Sequence, residues 1–310
     1  MSFSHVSVLL NETVSSLNIK PDGVYVDCTT GGAGHSKEIL KHLGEKGKLI
    51  CFDQDPDAIE IIKQRIGDDP RVIIIHSNFV NLKEVLMGLE IEKVDGIMAD
   101  LGVSSHQLDK GERGFSYNSD APLDMRMSQE GLSAHDVVNT YSYHDLTRIL
   151  REYGEEKFAS RIANNIINQR EIAPIQTTFE LAELVKNSIP AATRRTGPHP
   201  ARRSFQAIRL EVNGELEKLS ASLGDMFDSL NVDGRVSIIT FHSLEDKIVK
   251  KKFQEYTVGC TCPKDFPICV CNQTPRGKLP FKFVKPSKEE IEVNQRSRSA
   301  TLRVIEKLKD

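Results

Sequence analysis

The 310-residue sequence lacks several features, and each lack excludes a class of protein. No apolar run reaches the roughly 20 residues that a membrane-spanning helix needs, so none is expected. The opening residues, MSFSHVSVLLNETV, have neither a basic region nor a small-residue cleavage site. That argues against a secretory leader and gives a cytoplasmic protein as the expectation. The net charge is only −3 and by itself predicts no strong partner. There is no internal repeat and no low-complexity segment. Cysteines number six, and in a cytosolic chain they suggest core packing, metal or redox chemistry before disulfides. What remains, 39% hydrophobic and 27% charged residues, is ordinary for a globular protein with room for one large domain or two of usual size.

The chain is organised around Val24 to His35, VYVDCTTGGAGH. A buried strand (Val24, Tyr25, Val26) ends on Asp27, and a turn with Gly31, Gly32 and Gly34 follows. A helix starts near His35 and runs through Ile39 and Leu40. Glycines at such a turn let a ligand touch bare backbone, and the new helix offers its unpaired N–H groups and positive dipole end. This reads as the first crossover of a nucleotide-type α/β fold. Further strands are predicted at 48–55, carrying Asp53, at 71–79, and at 94–102, carrying Asp100, with helices at 55–66 and 81–89 and a short helix capped at Asn11 within 5–19. Such alternation predicts a parallel sheet covered on both faces.

From 103 to 213 no buried strand is found. The helical patterns are SAHDVVNTY, YHDLTRILREY, EEKFASRIANNIINQR and TTFELAELVKNSI, with Ser133, Ser142 and Thr177 or Thr178 as N-caps. The α/β pattern resumes with one long helix over 205–229, a strand over 234–243, a helix over 244–256 and candidate strands at 278–284 and 299–308. The expected organisation is a Rossmann-like α/β domain formed by 1–105 and 214–310, interrupted by an inserted helical, substrate-binding domain at 106–213.

In open α/β sheets ligands bind beyond the carboxyl ends of the strands. Asp53 at such a tip could accept hydrogen bonds from two ribose hydroxyls, which suits NAD and S-adenosylmethionine alike. The glycine spacing favours the second. A dinucleotide fingerprint is G-x-G-x-x-G with a small apolar helix start. Here the order is G-G-A-G-H, with His35 and Lys37 where small residues would be wanted. The methyl donor has no pyrophosphate and suits a looser acidic, glycine-lined loop.

The fourth strand ends ADLGVSSHQLD, which aims Asp100 at the space where donor and acceptor would meet. A carboxylate accepting the N–H bonds of an exocyclic amine can localise its lone pair for attack on a sulfonium methyl. Asp100 either does this or merely caps the following turn. FHSLED (241–246) ends another strand at the same edge. Phe241, His242 and Ser243 either hold a target base or start a helix with Ser243 as N-cap and Asp246 at its third position.

The motifs DCTTGGAGHS, FDQDPDAI, DLGVSS, GFSYNSDAPLDMRM, GPHPARRSFQAIRLEVNGEL and ITFHSLEDKIVK together resemble the RsmH/MraW family of ribosomal RNA methyltransferases, from His5 to Arg303. The resemblance implies a Rossmann-like class I methyltransferase sheet with an inserted helical domain. It implies S-adenosylmethionine as cofactor and methyl transfer to N4 of a cytosine, position 1402, in the decoding region of 16S ribosomal RNA. The implied partner is that RNA within the small ribosomal subunit, with no membrane. Position by position, the resemblance implies a donor site from Ala33, Gly34 and His35, with Asp53 on the ribose and Phe79 against the adenine. Asp100, the catalytic candidate, and Gln107 would complete the pocket near the methyl. One position departs from the family pattern: Ala121 stands where a glycine often precedes the Pro-Leu-Asp-Met-Arg run, which matters only if that backbone needs a positive φ.

Between 194 and 209, Arg194, Arg195, Arg202, Arg203 and Arg209 stand with His199 and an interleaved Phe205, uninterrupted by any acid. A second basic stretch lies at 276–288, followed by Arg296 and Arg298. Arginine's planar fork suits phosphate, and local basic patches on an almost neutral chain fit selective contact with a structured RNA. The long polar loops around 110–127 argue against tight enclosure of a small substrate. Cys28 and Cys51 read as small apolar fillers of buried strands. Cys260, Cys262, Cys269 and Cys271 give C-x-C-x6-C-x-C, each pair one residue tighter than the usual C-x2-C of structural zinc. Free thiols in a loop are the preferred reading, and no metal is expected. The competing functions are a DNA amino-methyltransferase, which would carry [DNS]-P-P-[YFW] where DLGV stands, a NAD-linked oxidoreductase, and a non-catalytic RNA-binding module. The oligomeric state stays open, a homodimer included.

Overall fold

The computed structural model describes residues 7–195, 197–260, 262, 271 and 273–310. The chain divides into two compact units, one of 1–102 with 216–310 and one of 103–215. The first begins with α1 (Leu10–Ser16), β1 (Val24–Asp27), α2 (Gly34–His42), β2 (Lys48–Asp53), α3 (Pro56–Ile66), β3 (Val72–His76), α4 (Leu82–Gly88) and β4 (Val94–Asp100). Their strands are near-continuous apolar runs, as a sheet covered on both faces requires. α3 starts as its sequence dictates: the Asp55 carboxylate accepts from Asp57 N at 3.1 Å, Pro56 occupies the first turn, and Ile59, Ile62 and Ile66 turn inward. α1 differs from expectation. Asn11 lies inside the helix, and the cap is the buried Leu9, in a left-handed conformation, whose N–H donates to Glu290 Oε1 at 2.8 Å.

The second unit is helical: α5 (Ser105–Asp109), α6 (Ala134–Thr140), α7 (Tyr143–Glu152), α8 (Ala159–Ile172), α9 (Thr178–Ser188), α10 (Ala191–Arg194) and α11 (Arg202–Asn213). Ser133, Ser142 and Thr177 cap α6, α7 and α9 by accepting the third-position N–H. α8 starts later than its sequence pattern because Glu155, at φ 48°, holds a turn ahead of it. Leu146, Ile149, Ile162, Ile166, Leu181, Val185 and Phe205 form the core of this unit. The polar loop at 110–127 is anchored in that core: Phe115, Leu123, Met125 and Met127 are buried, and Asn213 both accepts from Met127 N and donates to Met125 O, each at 2.8 Å. Ala121 takes no positive φ, so its side chain costs no strain there.

The α/β unit then continues with α12 (Glu215–Asp228), β5 (Leu230–Thr240), α13 (Ser243–Thr257), β6 (Gly277–Lys278), α14 (Lys288–Val293) and β7 (Thr301–Lys307). The single helix predicted over 205–229 is two, because Gly214 takes φ 58° and ends α11. β5 starts at Leu230, ahead of the predicted 234, with Asp233 at φ 66° where its register on β4 shifts. The stretch 278–284 supplies only β6 and a single bridge from Val284 to Leu302. The sheet has seven strands in the order β3-β2-β1-β4-β5-β7-β6. β1 to β5 run parallel, and β7 runs antiparallel to both β5 and β6. The order reverses between β1 and β4, the switch point where an open α/β sheet leaves a crevice.

Candidate active site

Three carboxyls stand at the carboxyl ends of β1, β2 and β4. Backbone bonds hold the three tips together: Cys28 N donates to Met98 O at 2.9 Å, Thr30 N to Phe52 O at 3.0 Å, and Asp100 N to Thr29 Oγ1 at 2.6 Å. The glycine turn follows β1. Gly31 sits at φ 50° and donates its N–H to Asp53 Oδ2 at 2.8 Å. A Cβ on Gly34 would collide with Ser7 Oγ. The left-handed residue that opens α2 is Ala33, at φ 60° and fully buried. A non-glycine residue held there stores on the order of 1–2 kcal/mol of strain, which the surrounding core must offset.

Asp53 accepts from Gly31 N on one oxygen and from Asp55 N, at 2.9 Å, on the other. The Gln54 N–H also bonds to this carboxylate, whose remaining lone-pair capacity is left for a hydroxyl. Beyond it, Asn78 Nδ2 donates to Gln54 Oε1 at 2.7 Å and Asn78 Oδ1 accepts from Val80 N at 2.9 Å. This pair fixes the turn that carries Phe79, whose partly exposed ring packs on the core. Asp27 is deeply buried, accepting from Ser36 Oγ at 2.7 Å and from Thr29 N at 3.1 Å. His35 is also buried: Nε2 lies 3.0 Å from Val8 O, and Nδ1 faces Asp100 Oδ2 at 4.0 Å. Asp100 Oδ1 is buried without a hydrogen-bond partner.

The electrostatics follow from this crowding. Burial pushes Asp27 up to about 6 and Asp53 up to about 6. Asp100 goes further, to about 8, through burial and then the negative charges of Asp27 and Glu245. Among the described residues, no lysine or arginine forms an ion pair with Asp27, Asp53 or Asp100. The site is therefore a set of carboxyls that wants a cation. Cys28 and Cys51 are buried, as fillers should be, and burial pushes the Cys51 thiol up to about 12.

At the end of β5 the α13 cap is His242, one residue earlier than the sequence suggests, with Glu245 rather than Asp246 as its third-position partner. Glu245 Oε2 accepts from Phe241 N at 2.8 Å and His242 N at 3.3 Å, while its Oε1 lies 3.0 Å from His242 Nε2, off the line of a hydrogen bond. Asp246 instead takes a two-point bond from Arg303, at 2.6 and 2.8 Å, tying α13 to β7. Sequence reasoning missed Glu245, Asn78 and the Asp27–Ser36 bond. The signal for Glu245 was its capping-box spacing from His242.

The structure thus gathers Ala33, Gly34, His35, Asp53, Phe79 and Asp100 at one edge of one unit. Gln107 belongs to the other unit. There it is buried on α5, and its side-chain oxygen accepts from Ser104 N at 3.0 Å while its N–H bonds to Ser104 Oγ at 3.2 Å, a capping box. The basic stretches are partly used up by the fold. Arg209 forms a two-point pair with Glu215, at 2.8 and 3.1 Å, and Arg194 donates to Lys186 O. Phe205 is core rather than surface. In the second stretch Arg276 pairs with Asp228, and Lys278 with Glu306. Arg195, Arg202 and Arg203 remain exposed, although Arg203 donates to Glu155 O at 3.2 Å; His199 is also exposed and stacks on Tyr117 at 4.5 Å.

A glycine turn after β1, acids at the tips of β1, β2 and β4, a switch point between β1 and β4 and an antiparallel β7 give a Rossmann-like methyltransferase. Residues 2–308 match the MraW methylase family, and the chain belongs to that family. It is 58% identical over 310 residues to the "Ribosomal RNA small subunit methyltransferase H" of Clostridium botulinum (strain Kyoto / Type A2), covering 99% of this chain and 100% of that protein. It is 55% identical over 311 residues to the protein of the same name from Clostridioides difficile (strain 630), with the same coverage.

Proposed function

We propose that this protein transfers the methyl group of S-adenosylmethionine to N4 of the cytosine at position 1402 in the decoding region of 16S ribosomal RNA, acting in the cytoplasm on RNA of the small subunit. The observation that carries this reading is the cation-hungry carboxyl set at the β1/β4 switch point, with Asp100 Oδ1 buried and unpartnered. S-adenosylmethionine brings a sulfonium and an ammonium to such a site. A nicotinamide dinucleotide would bring a pyrophosphate, which the ionised Asp27 and Asp53 repel at neutral pH. The names of the relatives point to the RNA.

When bound, the donor supplies an electrophilic methyl carbon. The chain's own residues do the rest by positioning. Bare backbone at Gly31 admits the donor, while Gly34, packed against Ser7, holds the turn together with Ala33 and His35. Asp53 receives a ribose hydroxyl, and Phe79 offers a flat apolar face to the adenine. Asp100 accepts an N–H of the target amine and turns its lone pair toward the methyl. In the free protein Asp100 holds a proton at neutral pH, and a cation beside it favours the ionised form that accepts. The role of Gln107 rests on the family resemblance alone. The helical unit is the substrate-binding part of this reading. Arg195, Arg202 and Arg203 meet phosphates there, and the Tyr117–His199 stack offers a face for a base.

The test is to incubate the purified protein with methyl-labelled donor and with 16S RNA, free and in small subunits, lacking this modification, and to map the product. Label on that cytosine N4, lost with Asp100→Asn, is expected. Label on DNA or protein alone overturns the proposal.

A further inference from the structure

The chain between α13 and β6 carries cysteines that the proposed reaction does not use. Cys260, Cys262 and Cys271 bring their sulfur atoms within 4.8 Å of one another. Cys260 and Cys271 Sγ lie 3.7 Å apart. That separation is far too long for a disulfide, whose sulfurs sit about 2.05 Å apart. It matches the edge of a tetrahedron of thiolates around zinc, which for Zn–S bonds of about 2.3 Å is about 3.8 Å. Cys262 N–H points at Cys260 Sγ at 3.4 Å, the kind of backbone donation that stabilises a thiolate sulfur.

The mouth of this loop is fixed independently. Arg276 N donates to Tyr256 O at 3.0 Å, and Leu308 N to Arg276 O at 2.8 Å. The Arg276 guanidinium pairs with Asp228 at 2.8 Å and lies over the stacked Phe227 and Tyr256 rings. Inside the mouth, no described residue between 258 and 275 belongs to a core cluster. The described part of this connection thus has no apolar anchor, and a metal ion would supply a staple in its place.

We propose that Cys260, Cys262 and Cys271 are ligands of one structural zinc ion. This reverses the expectation from sequence, where the tight C-x-C spacing favoured free thiols. The spacing is no obstacle, because the Cys260 and Cys262 sulfurs lie within 4.8 Å of each other and of Cys271 despite it. Cys269 lies outside the described residues and is not part of the assignment. The ion takes no part in methyl transfer: α13 has 15 residues, so about 22 Å of helix separates its far end from the end beside β5.

The test uses the full chain, purified without chelator or metal-affinity tag. Elemental analysis is expected to give one zinc per chain. Cobalt replacing it is expected to give the intense visible bands of tetrahedral thiolate coordination. Cys260→Ser, Cys262→Ser and Cys271→Ser should each lose the metal while methyl transfer stays within about twofold of the parent protein. The cobalt spectrum of the unmutated chain keeps the test valid should a variant fold poorly. A chain that takes up neither metal, or whose cysteines react with a thiol reagent as fast as in urea, overturns the proposal, as does a Cys260–Cys271 disulfide in the freshly purified protein.

Discussion

Asp100 owes its chemistry to its surroundings. A carboxyl with one unpartnered oxygen, beside Asp27 and Glu245 and paired with no lysine or arginine, keeps its proton up to about pH 8. The unfolded chain releases that proton near pH 3.8. Between those values the folded protein binds more protons than the unfolded one, so this group makes stability fall as pH rises. In cofactor-free protein, Asp100→Asn should therefore melt higher relative to the parent at pH 8 than at pH 5. A temperature difference that is flat across that range would refute the shift. The same proton predicts that donor binding at pH 7 releases protons, seen as a calorimetric enthalpy that depends on the buffer. Asp53 is a different kind of residue, because both its oxygens already hold backbone N–H groups. Asp53→Ala should weaken donor binding by roughly 10- to 100-fold, since the loosened Gly31 turn adds to the lost hydroxyl bond. Titration of the donor checks this.

At the scale of elements, the parallel half of the sheet was legible because its strands are unbroken apolar runs ending on Asp27, Asp53 and Asp100, and a buried strand leaves little else to choose. Capped helices were legible for a local reason: Ser133, Ser142 and Thr177 each bond within their own first turn. What the sequence hid is set by contacts far along the chain. The left-handed strain falls on Ala33 amid glycines. Leu9 rather than Asn11 caps α1 because Glu290, far along the chain, accepts its N–H. Arg209 and Arg276 look like RNA ligands until their carboxylate partners are seen. Gly214 was read through as helix, although glycine's freedom at φ 58° is what ends α11. Gly214→Ala should lower stability by about 1 kcal/mol in urea melts and leave donor affinity unchanged.

For the molecule as a whole, the proposed function puts recognition of RNA on the exposed arginines of the helical unit. Arg202→Ala with Arg203→Ala should weaken RNA binding and reduce its salt dependence by about two phosphate contacts. Donor affinity should be unaffected, and equal losses of both in calorimetry would refute the assignment. The described residues contain no helix long and apolar enough to cross a membrane. One feature of the sheet also governs how the protein is made. β4 and β5 are hydrogen-bonded neighbours, yet the whole of 103–215 is translated between them. At a synthesis rate of about ten residues per second, the nascent chain carries an open β4 edge for roughly ten seconds before its partner strand emerges. Chains stalled near residue 215 should thus be the most protease-sensitive and chaperone-dependent species in the life of this protein, a vulnerability that ends when β5 closes the gap.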